Sequence, residues 1–177
     1  MAEAQPAGES LTYQSQDSRL AMTFQYPSGW SVQEEEGKLE LYSQVRLMGP
    51  RNAEDTYSPF IAVRVSPALE AGGRHRDAAE LAQYHAAHQP PGARVTRDAT
   101  QTVVGASAHD VTMTYTIPPL HHRGLKALSI PVTTRTLFLQ RGLYLYELIY
   151  SADAREYERH APVFEHVLQT FRFLENS

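Results

Sequence analysis

Leu137-Phe138-Leu139-Gln140-Arg141-Gly142-Leu143-Tyr144-Leu145-Tyr146-Glu147-Leu148-Ile149-Tyr150 is the stretch that decides the fold. Leu137, Leu139, Leu143 and Leu145 alternate with Phe138, Tyr144, Tyr146 and Tyr150 around a Gln140-Arg141-Gly142 turn. Successive side chains of a strand point to opposite faces, so a hairpin of this composition is apolar on both sides. Such strands need cover on both faces, which predicts a sheet with helices on each side. Tyr144, Tyr146 and Tyr150 read as core packing within that hairpin rather than as a binding platform.

Working outward, the chain from Arg94 to Ile149 reads as four strands joined by Gly-containing turns. His109, Val111, Met113, Tyr115 and Ile117 share one side of the second of these, predicting a dry face, with Asp110, Thr112, Thr114 and Thr116 on a wet one. Upstream, Leu20–Tyr26 is β-like and ends at Pro27-Ser28-Gly29, Trp30 restarts a strand, and Leu39–Leu47 has period-2 alternation, together predicting a meander. Phe60–Val65 is a β-branched strand closed by Pro67. Asp77-Ala78-Ala79-Glu80 has capping-box spacing and predicts a helix ending at Pro90-Pro91-Gly92. Asp153-Ala154-Arg155-Glu156 repeats that spacing, and Tyr157, Ala161, Phe164, Leu168 and Phe171 form one apolar stripe. Pro162 inside the stripe predicts a kink or a fresh helix start. Phe171–Leu174 reads as a closing edge strand.

The chain has 177 residues, a net charge of −4 and no cysteine. That length supports one soluble globular domain over 19–177, with 1–18 as a flexible N-terminal segment. The absence of cysteine excludes thiol catalysis and iron–sulfur chemistry on this chain. Net negative charge gives no general attraction to phosphate backbones, so nucleic acid is not an expected partner. No run approaches the ~20 apolar residues of a membrane span. The opening residues carry neither a basic nor an apolar signal-peptide region.

Phe24-Gln25-Tyr26-Pro27-Ser28-Gly29-Trp30 resembles the aromatic-x-Tyr-Pro-x-Gly-Trp signature of PsbP-like domains. The closing Leu143–Ala152, Tyr157, Phe164-Glu165-His166-Val167-Leu168 and Phe171-Arg172-Phe173 are similar to that family's final strand–helix–strand. The resemblance implies a three-layer α/β/α sandwich around a central, mostly antiparallel β-sheet, an α+β fold. It brings with it photosystem II extrinsic and assembly proteins, bacterial periplasmic proteins and lipoproteins, and a nuclear Ran-GTPase-binding import factor. These look like non-catalytic binding or assembly modules, and their company favours a periplasmic or extracytoplasmic setting over a cytoplasmic one. No active site is carried over, and Trp30 reads as a core anchor.

Candidate chemistry is sparse. Gly105-Ala106-Ser107-Ala108-His109 approaches a nucleophile elbow, but a strand follows where the elbow needs a helix, which predicts a hairpin. Metal candidates are His85 and His88, three apart on a helix, and His121 with His122 in a Pro-rich loop; no spacing supplies a third ligand, so no cofactor is expected and a divalent metal is secondary. Glu34, Glu35, Glu36 and Glu40, or Glu54 and Asp55, lack calcium-loop spacing. His160 and His166 fall on the last helix. Arg74-His75-Arg76 and the segment from Arg123 to Lys126 are short basic clusters suited to an anionic partner.

The leading expectation is a non-enzymatic module, monomer or weak dimer, that docks on a protein complex, including one at a membrane surface, through Gly49–Pro59 and Ile117–Leu128. His121, His122, Arg123 and Lys126 are its expected partner-binding residues. Charge reversal of Arg123 and Lys126 is expected to weaken partner capture while leaving the melting temperature unchanged; a large loss of stability would mark the segment as structural. The rival expectation is a small-molecule- or metal-binding protein, or a hydrolase, with a concave pocket of convergent polar groups between sheet and helix. A third is strand pairing at a sheet edge, recognisable as an edge-to-edge dimer.

Overall fold

β-Branched and aromatic runs form the strands and the two capped or amphipathic segments form the helices. The structure, a computed structural model, describes residues 9–36, 42–118 and 129–174. Its elements are β1 (Ser10–Gln14), β2 (Met22–Pro27), β3 (Ser31–Glu36), β4 (Ser43–Met48), β5 (Phe60–Pro67), α1 (Ala78–Ala87), β6 (Arg94–Val103), β7 (Ala106–Ile117), β8 (Ile130–Arg141), β9 (Tyr144–Asp153), α2 (Tyr157–Thr170) and β10 (Arg172–Phe173). Seven strands form one antiparallel sheet in the order β3-β4-β5-β9-β8-β7-β6, and β1-β2-β10 form a smaller one.

The two-faced hairpin β8–β9 sits at the middle of the large sheet, in register from Val132 opposite Asp153 to Arg141 opposite Tyr144. Phe138 and Leu145 meet Ala68, Ala78 and Leu81 under α1. Leu137, Leu139, Tyr146, Leu148 and Tyr150 face the other way, into a core with Phe24, Phe164 and Phe171 supplied by the small sheet and α2. The fold is thus a three-layer α/β/α sandwich, with the small sheet sharing the α2 layer. Trp30 is buried in that core, with His160 edge-on at 6.1 Å between ring centroids.

Several expectations need correction. Residues 1–18, expected to be flexible, include β1, which pairs with β2 from Ser10 opposite Pro27 to Gln14 opposite Thr23. The meander does not continue across Pro27-Ser28-Gly29, because β2 belongs to the small sheet and β3–β4 to the large one. Tyr146 and Tyr150 are core residues, but Tyr144 is exposed beside the turn. The faces of β7 are reversed: Asp110 is fully buried and Ala108 with it, whereas His109, Val111, Met113 and Tyr115 are half-buried. The reason is pairing. Asp110 Oδ1 and Oδ2 accept from Arg135 Nε at 2.9 Å and Nη2 at 3.0 Å, and Oδ2 also accepts from Arg97 Nε at 2.9 Å. A buried carboxylate satisfied by guanidinium groups is tolerated where a lone one is not.

α1 begins as its spacing predicts: the Asp77 carboxylate accepts from the Glu80 N–H at 2.8 Å. α2 does not. The second capping-box sequence is used differently, with Asp153 accepting from the backbone N–H and the guanidinium of Arg155, and the helix starts at Tyr157 without a side-chain cap. It runs through Pro162 as one element, with no fresh start.

Acid should weaken this fold from two sites. Burial, reinforced by the nearby Arg159 charge, lowers the pKa of His160, whose Nδ1 is buried without a hydrogen-bond partner. Hydrogen bonds from Arg155 and Asn52 hold the Asp153 carboxyl below its usual value of 3.8. In both cases the unfolded chain takes up the proton first, so stability rises with pH. The loss is expected to begin for His160 as pH falls below 6.5 and for Asp153 below 3.8. Urea unfolding across that range, with His160→Gln and Asp153→Asn flattening the upper and lower parts of the curve respectively, checks the assignment; unchanged curves would refute it.

Candidate functional site

Two neighbouring strands at the middle of the large sheet each carry one charge in an otherwise apolar run, Arg64 in β5 and Glu147 in β9. The register sets them opposite each other, in the same row as Phe138 of β8 and so on the α1 face. There the sheet and helix enclose a cleft of about 480 Å³, bordered by Tyr42, Arg64, Arg74, Tyr84, His85 and Glu147. The rival reading requires a pocket in this gap, and it is present.

The floor is polar and tied into the sheet. Arg64 Nε donates to Gln44 Oε1 at 3.0 Å, and Gln44 in turn donates to Glu35, so a polar row crosses β5, β4 and β3. Glu147 is only 8% exposed. His85 Nε2 stands 3.0 Å from Glu147 Oε1, within ion-pair range, yet off the line of a hydrogen bond, so this buried oxygen has no hydrogen-bond partner. The side wall is the chain from Pro67 to His75, closed by Gly73 N–H donating to Ala68 O at 2.9 Å and Leu69 N–H donating to His75 O at 2.7 Å. Only glycine fits at 73, because a Cβ there would lie 1.7 Å from the Pro67 carbonyl oxygen. The roof is Leu81, Tyr84 and His85 of α1, with the Tyr84 ring 5.0 Å from His75 and stacked on His88 at 4.1 Å.

Such an arrangement can hold a polar ligand, but it does not assemble a nucleophile. Ser66, His85 and Glu147 all border the cleft, yet the Ser66 hydroxyl makes no hydrogen bond to His85 among the described residues. Nucleophilic catalysis needs that bond to move the hydroxyl proton. Ser107 lies on β7 directly after the Val104-Gly105 turn, where φ of +50° and +76° make a tight hairpin rather than an elbow.

His85 and His88 do not converge. His85 faces Glu147, while His88 Nδ1 lies 2.8 Å from the Tyr84 carbonyl. No group of three or more His, Asp or Glu able to hold a metal occurs among the described residues. His121, His122, Arg123 and Lys126 lie outside the described residues. Of the Arg74-His75-Arg76 cluster, the first two border the cleft and Arg76 pairs with Glu80 at 2.8 Å. The Gly49–Pro59 loop is held down: the Asn52 side chain is bonded to Thr56 and to Asp153 at 2.9 Å, and Glu54 pairs with Arg155 at 2.8 Å.

The opposite end of the sheet is the more open surface. Tyr42, Leu69, Leu143 and Tyr144 each keep about two-fifths to half of their surface exposed. Leu143 is joined to the Pro67–His75 wall by the Ala68 N–H, which donates to Leu143 O at 2.8 Å. Tyr42 and Tyr144 border one shallow depression together with Pro67. The sequence reading missed this patch and the role of Arg64 and Glu147, although a single charge inside an apolar strand was a readable signal for both.

Solved structures share the fold of this chain. CyanoP, the cyanobacterial PsbP of Synechocystis sp. PCC 6803, superposes with a TM-score of 0.52 at 14% identity, over 98% of this chain and 96% of that one. The chain has the PsbP-like fold. LpqN of Mycobacterium tuberculosis, a protein involved in cell envelope biogenesis, has the same PsbP-like sandwich at a TM-score of 0.58 and 14% identity, over 98% of this chain and 88% of its own. A protein of unknown function from Pseudomonas aeruginosa gives 0.54 at 13% identity, over 96% of this chain and 100% of its own. No family model and no curated protein matches the sequence. At these identities the shared property is the PsbP-like fold. No described helix is long and apolar enough to cross a membrane.

Proposed function

We propose that this chain is a non-catalytic binding module that docks on a protein partner through the end of the sandwich bearing Tyr42, Leu69, Leu143 and Tyr144. The observation that carries this reading is the exposure of two tyrosines and two leucines together on a hydrogen-bonded rim of the sheet. Isolated exposed apolar residues are ordinary, but a cluster rich in tyrosine on a rigid support has the composition of a contact centre. The reading replaces the Gly49–Pro59 loop as the docking surface, since that loop spends its polar groups internally. An extracytoplasmic setting belongs to the proposal, supported by the likeness to LpqN, a protein of cell envelope biogenesis.

A photo-crosslinking residue at Leu143 is expected to join one partner protein in the native host, while the same residue at Asp98, exposed on the far edge strand β6, is not. Tyr144→Asp is expected to abolish the Leu143 adduct with little change in melting temperature. Identical adducts from both positions, or an adduct indifferent to Tyr144→Asp, would sink the reading.

A further inference from the structure

The cleft under α1 has features that docking at the neighbouring rim does not use. Its floor includes Glu147, whose Oε1 is covered by His85 at 3.0 Å and whose carboxylate makes no hydrogen bond among the described residues. Buried polar groups are nearly always satisfied, and a carboxylate with two oxygens and no hydrogen bond has acceptor capacity left for a donor that comes from outside the chain. The same cavity presents two guanidinium groups. Arg64 engages Gln44 through Nε only, and neither Arg64 nor Arg74 has a carboxylate partner among the described residues. Guanidinium groups left in this state are anion receptors, able to bind carboxylate or phosphate through paired N–H groups. Between the two kinds of polar group lie Leu81 and the ring of Tyr84, which His75 and His88 hold in place. A volume of about 480 Å³ fits a small organic molecule rather than an ion.

We propose that this cleft binds a small organic anion that also carries an N–H or O–H donor: its acid group on Arg64 and Arg74, its amine or hydroxyl on Glu147, and its apolar body against Leu81 and Tyr84. Charge supports the polarity of the choice. Two guanidinium groups against one carboxylate leave a net positive site on a chain whose overall charge is −4, so the ligand is anionic or zwitterionic rather than cationic. Glu147 then discriminates among anions, because a site built to receive a donor rejects an analogue that lacks it. The site and the docking patch are separable, since Arg74 and Glu147 are needed for one and Leu143 and Tyr144 for the other.

Calorimetric titration of the full chain at neutral pH with four probes tests the assignment: phenyllactate, free phenylalanine, hydrocinnamate, which lacks the donor, and phenethylamine, which lacks the acid. Phenyllactate and phenylalanine are expected to bind saturably, hydrocinnamate about tenfold more weakly, and phenethylamine not at all. Arg74 is exposed, so Arg74→Ala folds normally and is expected to weaken both binding probes about tenfold. Glu147→Gln is expected to weaken phenylalanine by a similar factor because the ammonium loses its countercharge; should that variant fail to fold, the hydrocinnamate comparison carries the same information. Asp98→Ala, on the far edge strand β6, leaves all four affinities unchanged. The proposal is overturned by the absence of saturable binding, by hydrocinnamate matching phenyllactate, or by an Arg74→Ala variant that binds as the parent does.

Discussion

Asp110→Ala is expected to destabilise the protein by about 3–5 kcal/mol, the cost of leaving a buried guanidinium without its carboxylate. Asp110 is fully buried, and it binds Arg135 through two hydrogen bonds as well as Arg97 and Gln101. Arg135 is the partner that suffers, because its side chain is only 15% exposed, whereas that of Arg97 is 53% exposed and can turn to water. Glu165, 2.5 Å from Arg135 Nη1, stays behind and keeps the loss from running higher. For a chain of this size the effect corresponds to a fall in melting temperature of about 10 °C. A double variant Asp110→Ala, Arg135→Met should recover much of the loss, since no orphaned charge remains. Thermal and urea unfolding of the three proteins decide the matter, and a single variant within about 1 kcal/mol of the parent would remove the pair from the stabilising interactions.

Phe171→Ala is expected to cost about 3–5 kcal/mol by the different route of an internal cavity. The ring is fully buried, stacked toward Phe24 at 6.4 Å and edge-on to Phe173 at 5.1 Å. Its backbone N–H closes α2 by donating to Val167 O at 2.8 Å, so this one residue ends the helix, starts the turn into β10 and fills the gap beneath β2. The half-buried Phe173→Ala provides the comparison and should cost distinctly less. Equal losses would mean that the two rings share the work, and that Phe171 is not the keystone of the layer.

Legibility in the sequence followed hydrophobic pattern. Leu137–Tyr150 showed the two covered faces because its apolar residues leave no polar side to present to water. Asp77 and Glu80 placed a helix start because capping is a local exchange between side chain and backbone. Asp153 and Glu156 have the same spacing, but Arg155 offers Asp153 a stronger partner than a helix N–H would, and α2 starts later. Asp110 was assigned to the wet side because nothing in its own strand reveals the guanidinium that waits 25 residues on. The cleft was invisible for a related reason: Arg64 and Glu147 become neighbours only when β9 inserts between β5 and β8, a non-local pairing that periodicity does not encode.

The small sheet joins strands far apart in sequence, with Met22 and Thr23 of β2 opposite Phe173 and Arg172 of β10. During synthesis, β1 and β2 therefore leave the ribosome long before the strand and helix that cover them exist. Such long-range closure is slow in any chain, and here it cannot begin until β10 has been made. Until the last turn of α2 and β10 emerge, the β1–β2 ribbon stands without its cover, so a chaperone has the time taken to make the intervening residues in which to hold it.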